Sequence, residues 1–394
     1  MILDYIINYS IIMSQMSYKD KISATREKFS ELLVKSKQKI SSLINSKVPY
    51  KFKQIPKGNN LDMRIERYNI IQHKINKGNA KPLKSTDCLE ETENSTYKIR
   101  DILTLEEKIG SRSIYGAIYK TNIHNSPSIY IATKVMEATD NNKIETILMK
   151  SITKQLILTQ KSKHFLIMYC YSYCDKLKDT PYALANFNEL ADNDLKYYLL
   201  NTKNVLDDKF LLYNLLIQSL ISIGSFHNLV GYIHEDCHWG NFLYLDNTEH
   251  KDNAYYMYKF KNITYYLKSC KYNVMIYDFG LSSDILLYKD YRIINNLIVD
   301  DYQRIIDCFI SIMYTDDKVS TLFDILDNTA KKGTVYHSQY DAFLYIFAKV
   351  LHLCLHNFPE IFLSDIRKLP SGSIILNHVP YELFSKEKIT LDYY

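Results

Sequence analysis

Two short runs of residues in this chain have the types and spacing that phosphoryl transfer requires. The first, His234 to Asn241, has the spacing H-x-D-x-x-x-x-N, and the second is D-F-G, beginning at Asp278. In such a reaction one carboxylate must lie beside the attacking hydroxyl, orient it and receive its proton. A second carboxylate and an amide oxygen must hold Mg²⁺ against the phosphates, and hard oxygen ligands suit that ion. D-F-G alone occurs often by chance, but both runs in this order predict phosphoryl-transfer chemistry.

The patterns around these runs predict an α+β fold in which a small β-rich part precedes a larger helical part. Apolar and β-branched stretches predict strands at 128–135, 165–174 and 182–187, and a helical period predicts a helix at 144–159. A strand-rich piece is expected over 242–278. Further helices are expected at 194–201, 207–230, 300–315, 318–328 and 338–356. The apolar stretch 210–230 carries polar residues at helical spacing, which predicts a core helix and not a membrane span.

The positive charge of the chain lies in its N-terminal quarter. The net charge is +5, and residues 1–100 carry 19 Lys and Arg against 10 Asp and Glu. Within this part, 18–46 has the period of an amphipathic helix, and 47–95 has the composition of a linker or a loosely packed arm. The basic residues either form a solvated extension or attract a partner, for which we expect an acidic protein or RNA.

Composition and cysteine usage exclude several classes of protein. Hydrophobic residues make up 46% and charged residues 24% of the 394 residues, which excludes global disorder and collagen-like order. Seven scattered cysteines without a C-x-x-C pair predict reduced thiols in a cytosolic compartment. The apolar segment 1–13 lacks a basic beginning and makes a poor signal peptide, so we expect a protein that is not secreted.

The two runs resemble the signature elements of protein kinases. That resemblance implies a bilobal kinase-like fold with ATP and Mg²⁺ as cofactors. It makes Asp236 the catalytic base and Asn241 and Asp278 the metal ligands. Ile131-Ala132-Thr133-Lys134 resembles the V-A-I-K strand, so Lys134 is expected to pair the phosphates. Its partner is expected to be a glutamate of the following helix, Glu145, with Glu137 as the alternative.

The nucleotide site is completed, by the same resemblance, from a glycine loop and a hinge. Residues 109–119 keep the first and last glycines of the kinase loop but lack the middle one and are one residue longer. Residues 188–195 resemble the hinge and the helix after it, with Asp194 expected to cap that helix. The residues assigned to the nucleotide are Ile109, Gly110, Gly116, Ile118, Ala132, Lys134 and the backbone of Glu189 and Ala191.

A narrower resemblance links residues 100–310 to the serine/threonine-protein-kinase-like proteins of mimivirus-type giant viruses. It rests on His-x-Asp-x-His-Trp-Gly-Asn-Phe-Leu, the Tyr-rich stretch 255–272 and Tyr-Asp-Phe-Gly-Leu-Ser. It implies an extension at 1–95, an N-lobe at 96–190 and a C-lobe at 191–394. It also implies phosphorylation of Ser or Thr on a protein, in the infected host cytoplasm or in the virion.

The sequence departs from the kinase pattern at two positions of the first run. Glu235 replaces the arginine of H-R-D, so the usual basic site for a phosphorylated activation loop is missing. His238 replaces a lysine, in an H-x-D-x-H pattern like that of choline and aminoglycoside phosphotransferases, and is expected to assist the phosphate. No A-P-E follows D-F-G, and Asp301, the expected aspartate of the next helix, comes only 23 residues after Asp278. Two alternatives therefore stay open, a small-molecule kinase and a pseudokinase scaffold.

Other interpretations of single motifs are weaker. His234, Asp236 and His238 are spaced like metal ligands, but Asn241 and D-F-G would then be coincidental. His352-x-Cys354-x-His356 resembles a zinc motif on an apolar helical pattern, where a core helix is expected instead. The tyrosines of 255–272 are expected to pack strands and not to stack on single-stranded nucleic acid.

Overall fold

Alternating burial along successive strands builds an antiparallel sheet from the β-rich part of the chain. The structure, a computed structural model, describes residues 55–76, 84–92, 96–110, 116–124, 126–174 and 183–392. Among these, seven strands pair antiparallel in the order β1-β2-β3-β4-β5-β7-β6. Their bounds are β1 Glu90–Glu91, β2 Tyr97–Ile99, β3 Leu103–Ile109, β4 Ala117–Ile123, β5 Ser126–Met136, β6 Met168–Tyr173 and β7 Leu184–Asn188.

Two helices accompany this sheet. Helix α1, Leu61–Asn76, lies in the part expected to be a linker or loosely packed arm, yet Leu61, Ile71 and Ile75 are buried in the core. Helix α2, Asp140–Ile152, begins after Thr139, whose hydroxyl accepts a hydrogen bond from the Asn142 amide, and continues as a π-helical turn. The predicted helix at 18–46 and most of the basic segment lie outside the described residues.

The following part is mainly helical, as predicted. Aspartate or serine side chains cap these helices, including Asp194 at the position expected from the sequence. The helix expected at 300–315 begins nine residues earlier, because Asp290 caps it and Ile294 and Ile298 extend its buried face. The bounds are α3 Leu195–Asn201, α4 Lys209–Ser225, α5 Tyr291–Ile312, α6 Asp317–Lys331 and α7 Gln339–Asn357.

Short strands lie between and after these helices. A three-stranded sheet has the order β13-β10-β8, and β9 pairs with β14. The hairpin β11–β12 extends through β15, β16 and β17. The bounds are β8 Asn193–Asp194, β9 Tyr232–Ile233, β10 Phe242–Asp246, β11 Ala254–Phe260, β12 Ile263–Lys268, β13 Tyr272–Ile276, β14 Ser283–Asp284, β15 Phe362–Leu363, β16 Ile374–Ile375 and β17 Tyr381–Glu382.

Burial confirms several sequence expectations about the core. Of the described residues, the stretch Lys209–Val230 is long and apolar enough to cross a membrane, but 94% of its apolar window is buried inside the protein. It is therefore a core helix, as predicted. Tyr255, Tyr256, Tyr258, Tyr265 and Tyr266 are buried in the β11–β12 hairpin, which confirms strand packing as their role. The fold is thus mixed α+β, with an antiparallel sheet followed by a helical part.

The expectation that all thiols are reduced is wrong for one pair. Cys88 and Cys174 form a disulfide across 86 positions of sequence. Cys174 directly follows β6, and the Tyr173 N–H at the end of β6 donates to the Ser85 carbonyl at 2.5 Å, which brings the segment that carries Cys88 alongside. The sequence lacks a signal for this pair because neither spacing nor local pattern links the two residues. Cys170, Cys237, Cys270, Cys308 and Cys354 are free.

Candidate functional site

A loop between helix α4 and strand β10 carries the first run of site residues. The helix ends in a π-helical turn at Phe226–Val230, and Gly231 adopts φ 91°, which lets the chain reverse direction. The fully buried carboxylate of Asp301 on α5 then accepts hydrogen bonds from the backbone N–H groups of His234 and Glu235, each at 2.8 Å. Asp301, expected from the sequence only as the aspartate of the next helix, therefore fixes the backbone of this loop.

Asp236 lies within reach of three other polar side chains. The Asn241 amide nitrogen donates to the Asp236 carbonyl at 2.8 Å and to its Oδ2 at 3.0 Å. His238 Nε2 lies 3.5 Å from Oδ2, and Arg304 Nη1 lies 3.9 Å from Oδ1. The hydrogen bond from His238 and the bond from Asn241 lower the pKa of Asp236, although burial opposes this. The carboxylate is thus kept ionised while its side chain remains 29% exposed, which suits a proton acceptor.

The two runs meet through strands β10 and β13. Phe242 pairs with Ile276, and the Tyr277 N–H donates to the Asn241 carbonyl at 3.0 Å. This pairing brings Asn241 beside the D-F-G run although the two are distant in sequence. Asp278 has φ 64° and Glu235 has φ 64°, so two non-glycine residues of this site adopt the left-handed conformation. Such strain is found preferentially at functional sites.

Lys134 of strand β5 joins the sheet to the D-F-G run. Its Nζ lies 2.8 and 2.9 Å from the two carboxylate oxygens of Glu145 and 2.7 Å from Oδ1 of Asp278. The ion pair with Glu145 on α2 was the predicted one, and Glu137 does not make it. Burial opposes the charge of Lys134, but the two carboxylates outweigh it and raise the pKa of the ammonium group. The same contact lowers the pKa of Asp278 despite its burial.

Gly280 completes this corner of the site. A Cβ atom at this position would lie 3.3 Å from Oε2 of Glu145 and 3.5 Å from Oδ1 of Asp278. The first distance is slightly tight and the second is ordinary van der Waals contact, so a side chain here would lie against the two carboxylates that hold Lys134.

The predicted glycine-loop residues lie at the adjoining ends of β3 and β4. Ile109 ends β3, and Gly110 adopts φ 76°. A Cβ atom on Gly116 would lie 2.5 Å from the Val135 carbonyl oxygen, so only glycine fits at this point. Residues 111–115 lie outside the described residues. Ile118 pairs with Lys134 in the sheet, and Ala132 pairs with Asn188, so these predicted nucleotide residues share one region of the sheet.

The predicted hinge is only partly free to meet a nucleotide. The Glu189 N–H donates to the Ile167 carbonyl at 2.8 Å, so it is not available to a ligand. Of the Glu189 backbone groups expected to bind the nucleotide, only the carbonyl is therefore left. The Glu189 carboxylate is buried against Arg64 and Arg67 of α1. Ala191 is half-buried in the connection between β7 and β8.

Three features of the site were missed in the sequence. Arg64 lies in a polar stretch of the sequence, and no residue pattern in that stretch indicated a buried arginine. Arg304 follows Asp300 and Asp301 at helical spacing, which is a usable but weak indication of a shared face. The third feature is the hydrogen bond that the Ser283 hydroxyl donates to the Glu235 carboxylate.

The alternative metal interpretations of the histidine motifs are not supported. His234 Nδ1 accepts a hydrogen bond from the Asp236 N–H, and Nε2 lies 3.0 Å from the Tyr277 carbonyl, so both ring nitrogens are engaged within the protein. Cys354 is buried, whereas His352 and His356 are exposed on α7, as expected for a core helix. Among the described residues, His, Cys, Asp and Glu form no group of three or more that would hold a metal.

Comparison with known proteins adds no family assignment. No protein-family profile matches the sequence, and no curated protein matches it significantly.

Proposed function

We propose that this chain is an ATP- and Mg²⁺-dependent kinase of bilobal kinase-like fold that phosphorylates Ser or Thr of a protein substrate. The observation that carries the proposal is the position of Lys134 Nζ, between the buried carboxylate of Glu145 and that of Asp278, 144 positions away in sequence. A cation held this way lies next to a D-F-G aspartate, in the arrangement that phosphoryl transfer uses to neutralise phosphate charge.

In this proposal Asp236 handles the acceptor. Its ionised carboxylate orients the hydroxyl and receives its proton as the oxygen bonds to the γ-phosphorus and the bond to the ADP oxygen breaks. The His238 imidazole lies beside this carboxylate and, when protonated, stabilises charge on the transferred phosphate. Lys134, held by Glu145, binds the phosphates. Ile109, Gly110, Gly116, Ile118 and Ala132, with the Glu189 carbonyl and Ala191, surround the nucleotide.

The proposed metal ligands fit Mg²⁺ by their chemistry. Both Asn241 amide hydrogens are directed to Asp236, which leaves the amide oxygen as its ligand atom, and Asp278 supplies a partly exposed carboxylate. These are hard oxygen donors of the kind that Mg²⁺ prefers. When bound, Mg²⁺ would neutralise phosphate charge during transfer.

A small-molecule kinase is the second candidate, because His238 lies 3.5 Å from Asp236 and the segment after D-F-G is short. A pseudokinase scaffold is the third, and the intact set Lys134, Asp236, Asn241 and Asp278 weighs against it. The kinase-superfamily membership, the resemblance to giant-virus kinase-like proteins, and a location in the infected cytoplasm or virion belong to the same proposal. So does an acidic protein or RNA partner for the basic N-terminal segment.

The experiment that separates these candidates is an acceptor screen with the full chain, labelled ATP and Mg²⁺. Generic protein acceptors and small hydroxyl or amine compounds are tested in parallel, followed by phosphoamino-acid analysis of any labelled protein. Label on Ser or Thr supports the protein kinase, and label only on small compounds supports the second candidate. No label, together with no Mg·ATP-dependent thermal shift, would reject both.

A further inference from the structure

Glu235, the residue that stands in place of a kinase arginine, binds the segment that follows D-F-G. Its Oε1 accepts a hydrogen bond from the Tyr288 hydroxyl at 3.0 Å and another from the Ser283 hydroxyl. The two hydroxyl oxygens lie 3.0 Å from each other. The three half-buried side chains therefore form a closed cluster, here called the Glu235 latch.

The conformation of Glu235 directs its side chain into this cluster from a fixed backbone. Its N–H is bonded to the buried Asp301, and its φ of 64° places it in a conformation that non-glycine residues rarely adopt. A strained residue persists only where surrounding contacts hold it. Here those contacts are Asp301 on the backbone side and two hydroxyl donors on the side-chain side.

The segment is also anchored by two buried apolar side chains, Phe279, which stacks on Phe226, and Ile285, whereas its polar contacts are few. Its strand β14 pairs with β9 through two residues only, Ser283 with Ile233 and Asp284 with Tyr232. Beyond this pairing, the Ile285 N–H reaches the Gly231 carbonyl at 3.4 Å, and Gln339 donates to the Tyr288 carbonyl at 3.3 Å. A two-residue ladder is a weak constraint. Hydrogen bonds to a carboxylate are stronger than neutral ones, so the Glu235 latch is the strongest of the polar contacts described for this segment.

We propose that Glu235 helps to hold residues 279–290 in place through Ser283 and Tyr288, and that transfer of a phosphoryl group from ATP to the Ser283 hydroxyl, with release of ADP and of the hydroxyl proton, opens this latch. A phosphoryl group would replace the hydroxyl hydrogen that Glu235 accepts and bring a dianion against its carboxylate. The segment is thus ordered without modification, and modification disorders it. The phosphoryl transfer to Ser283 is the chemistry of the proposed function, whereas the contact of Glu235 with Ser283 and Tyr288 does not depend on that function.

The test is hydrogen–deuterium exchange of residues 279–290 in the full chain, with a charge swap. Ser283→Glu and Glu235→Arg each remove the latch, and we expect exchange of this segment to become roughly tenfold faster in each. The double variant Glu235→Arg/Ser283→Glu places opposite charges together and is expected to restore slow exchange. Ser371→Glu, at an exposed serine before β16, controls for the added charge and is expected to leave exchange unchanged.

Two results would overturn the latch: unchanged exchange in Ser283→Glu, or exchange in the double variant as fast as in the single ones. Glu235→Gln keeps a carbonyl acceptor and should retain most of the protection, which separates hydrogen bonding from charge alone. A chain that transfers no phosphate but shows this exchange pattern would refute the proposed kinase and leave the latch intact.

Discussion

The guanidinium of Arg64 binds the carboxylate of Glu189 although the two residues are 125 positions apart. Nε lies 3.0 and 3.1 Å from the two carboxylate oxygens, and Nη2 lies 2.7 Å from Oε2. The remaining donors of Arg64 reach the carbonyls of Lys163 and Phe165. Burial opposes the charge of Glu189, but Arg64 outweighs it and lowers the pKa of the carboxyl group. Helix α1 is thereby joined to the segment that we propose meets the nucleotide.

Replacing Arg64 should destabilise the fold strongly. Arg64→Met leaves the buried Glu189 carboxylate with only the more peripheral Arg67, and breaking a buried ion pair in this way costs about 3–5 kcal/mol. The double variant Arg64→Met/Glu189→Gln removes the unpaired charge and should recover at least half of that loss. Urea unfolding of the full chain measures both. Equal stability of Arg64→Met and wild type would show that the ion pair does not hold α1.

Variants of Lys134 separate the contribution of this residue to stability from its contribution to nucleotide binding. The Glu145 carboxylate is fully buried and would lose its cation, so we expect a loss of several kcal/mol in the free energy of unfolding, of the order of 3. Lys134→Met/Glu145→Gln should regain most of that stability but still show no Mg·ATP-dependent thermal shift. Lys120→Met, on the neighbouring strand and partly exposed, is the matched control. A normal thermal shift in the double variant would exclude Lys134 from the phosphate site.

The stability of the protein should fall with acid because of His164. This buried imidazole lies 2.8 Å from the Val274 carbonyl and 2.8 Å from the Tyr258 hydroxyl, and burial lowers its pKa from 6.5 to about 3. The folded state binds the proton less tightly than the unfolded chain does, so stability is lost as pH falls below 6.5. The loss is up to about 1.4 kcal/mol for each pH unit.

Unfolding of wild type and His164→Gln between pH 6.5 and 5 tests this contribution. The variant lacks the titrating group, so its free energy of unfolding should depend less steeply on pH. His352→Gln, on the exposed face of α7, is expected to keep the wild-type slope. Parallel slopes in wild type and His164→Gln would mean that folding does not lower the pKa of His164.

The disulfide makes stability depend on redox conditions. Cys88–Cys174 closes a loop across 86 positions, and removing such a cross-link costs about 2–4 kcal/mol. Cys88→Ser should therefore have a lower melting temperature than wild type, and reductant should lower the melting temperature of wild type to the same value. Cys308→Ser, at a free thiol, should respond to reductant as wild type does. If reductant does not change the melting temperature of wild type, the Cys88–Cys174 cross-link is contradicted.

The local sequence pattern was sufficient to predict some helices and strands and insufficient to predict others. The core helix Lys209–Ser225 and the strand content of 242–278 were predictable because periodicity and β-branched or aromatic composition reflect burial directly, whereas the pairing of β11 with β12 was not predicted. Helix α1 was not, because its buried face includes the charged Arg64, whose partner lies on a distant strand. The start of α5 was misplaced because the cap Asp290 and the buried residues Ile294 and Ile298, which extend the helix towards its N-terminus, were not recognised in the sequence.

Some residues of the candidate site could likewise be predicted from the sequence, and others could not. The aspartates and Asn241 were assigned from their spacing and its resemblance to the kinase runs, and the Lys134–Glu145 pair from the resemblance of 131–134 to the V-A-I-K strand. The positive φ of Glu235 was not accessible, because that conformation depends on Asp301 and on hydroxyls contributed by a later segment. The Cys88–Cys174 bond likewise depends on a long-range contact between the Cys88 segment and the end of β6, and the engaged N–H of Glu189 depends on a contact with Ile167, neither of which a single sequence specifies.

The most direct test of the proposed chemistry is transfer of the γ-phosphate from labelled ATP with Mg²⁺ by wild type and Asp236→Asn. If Asp236 is the base, the variant should bind Mg·ATP nearly as wild type does, while turnover falls roughly 10²–10⁴-fold. Asp252→Asn, at a fully exposed aspartate, should transfer phosphate at the wild-type rate. Wild-type turnover by Asp236→Asn would contradict the assignment.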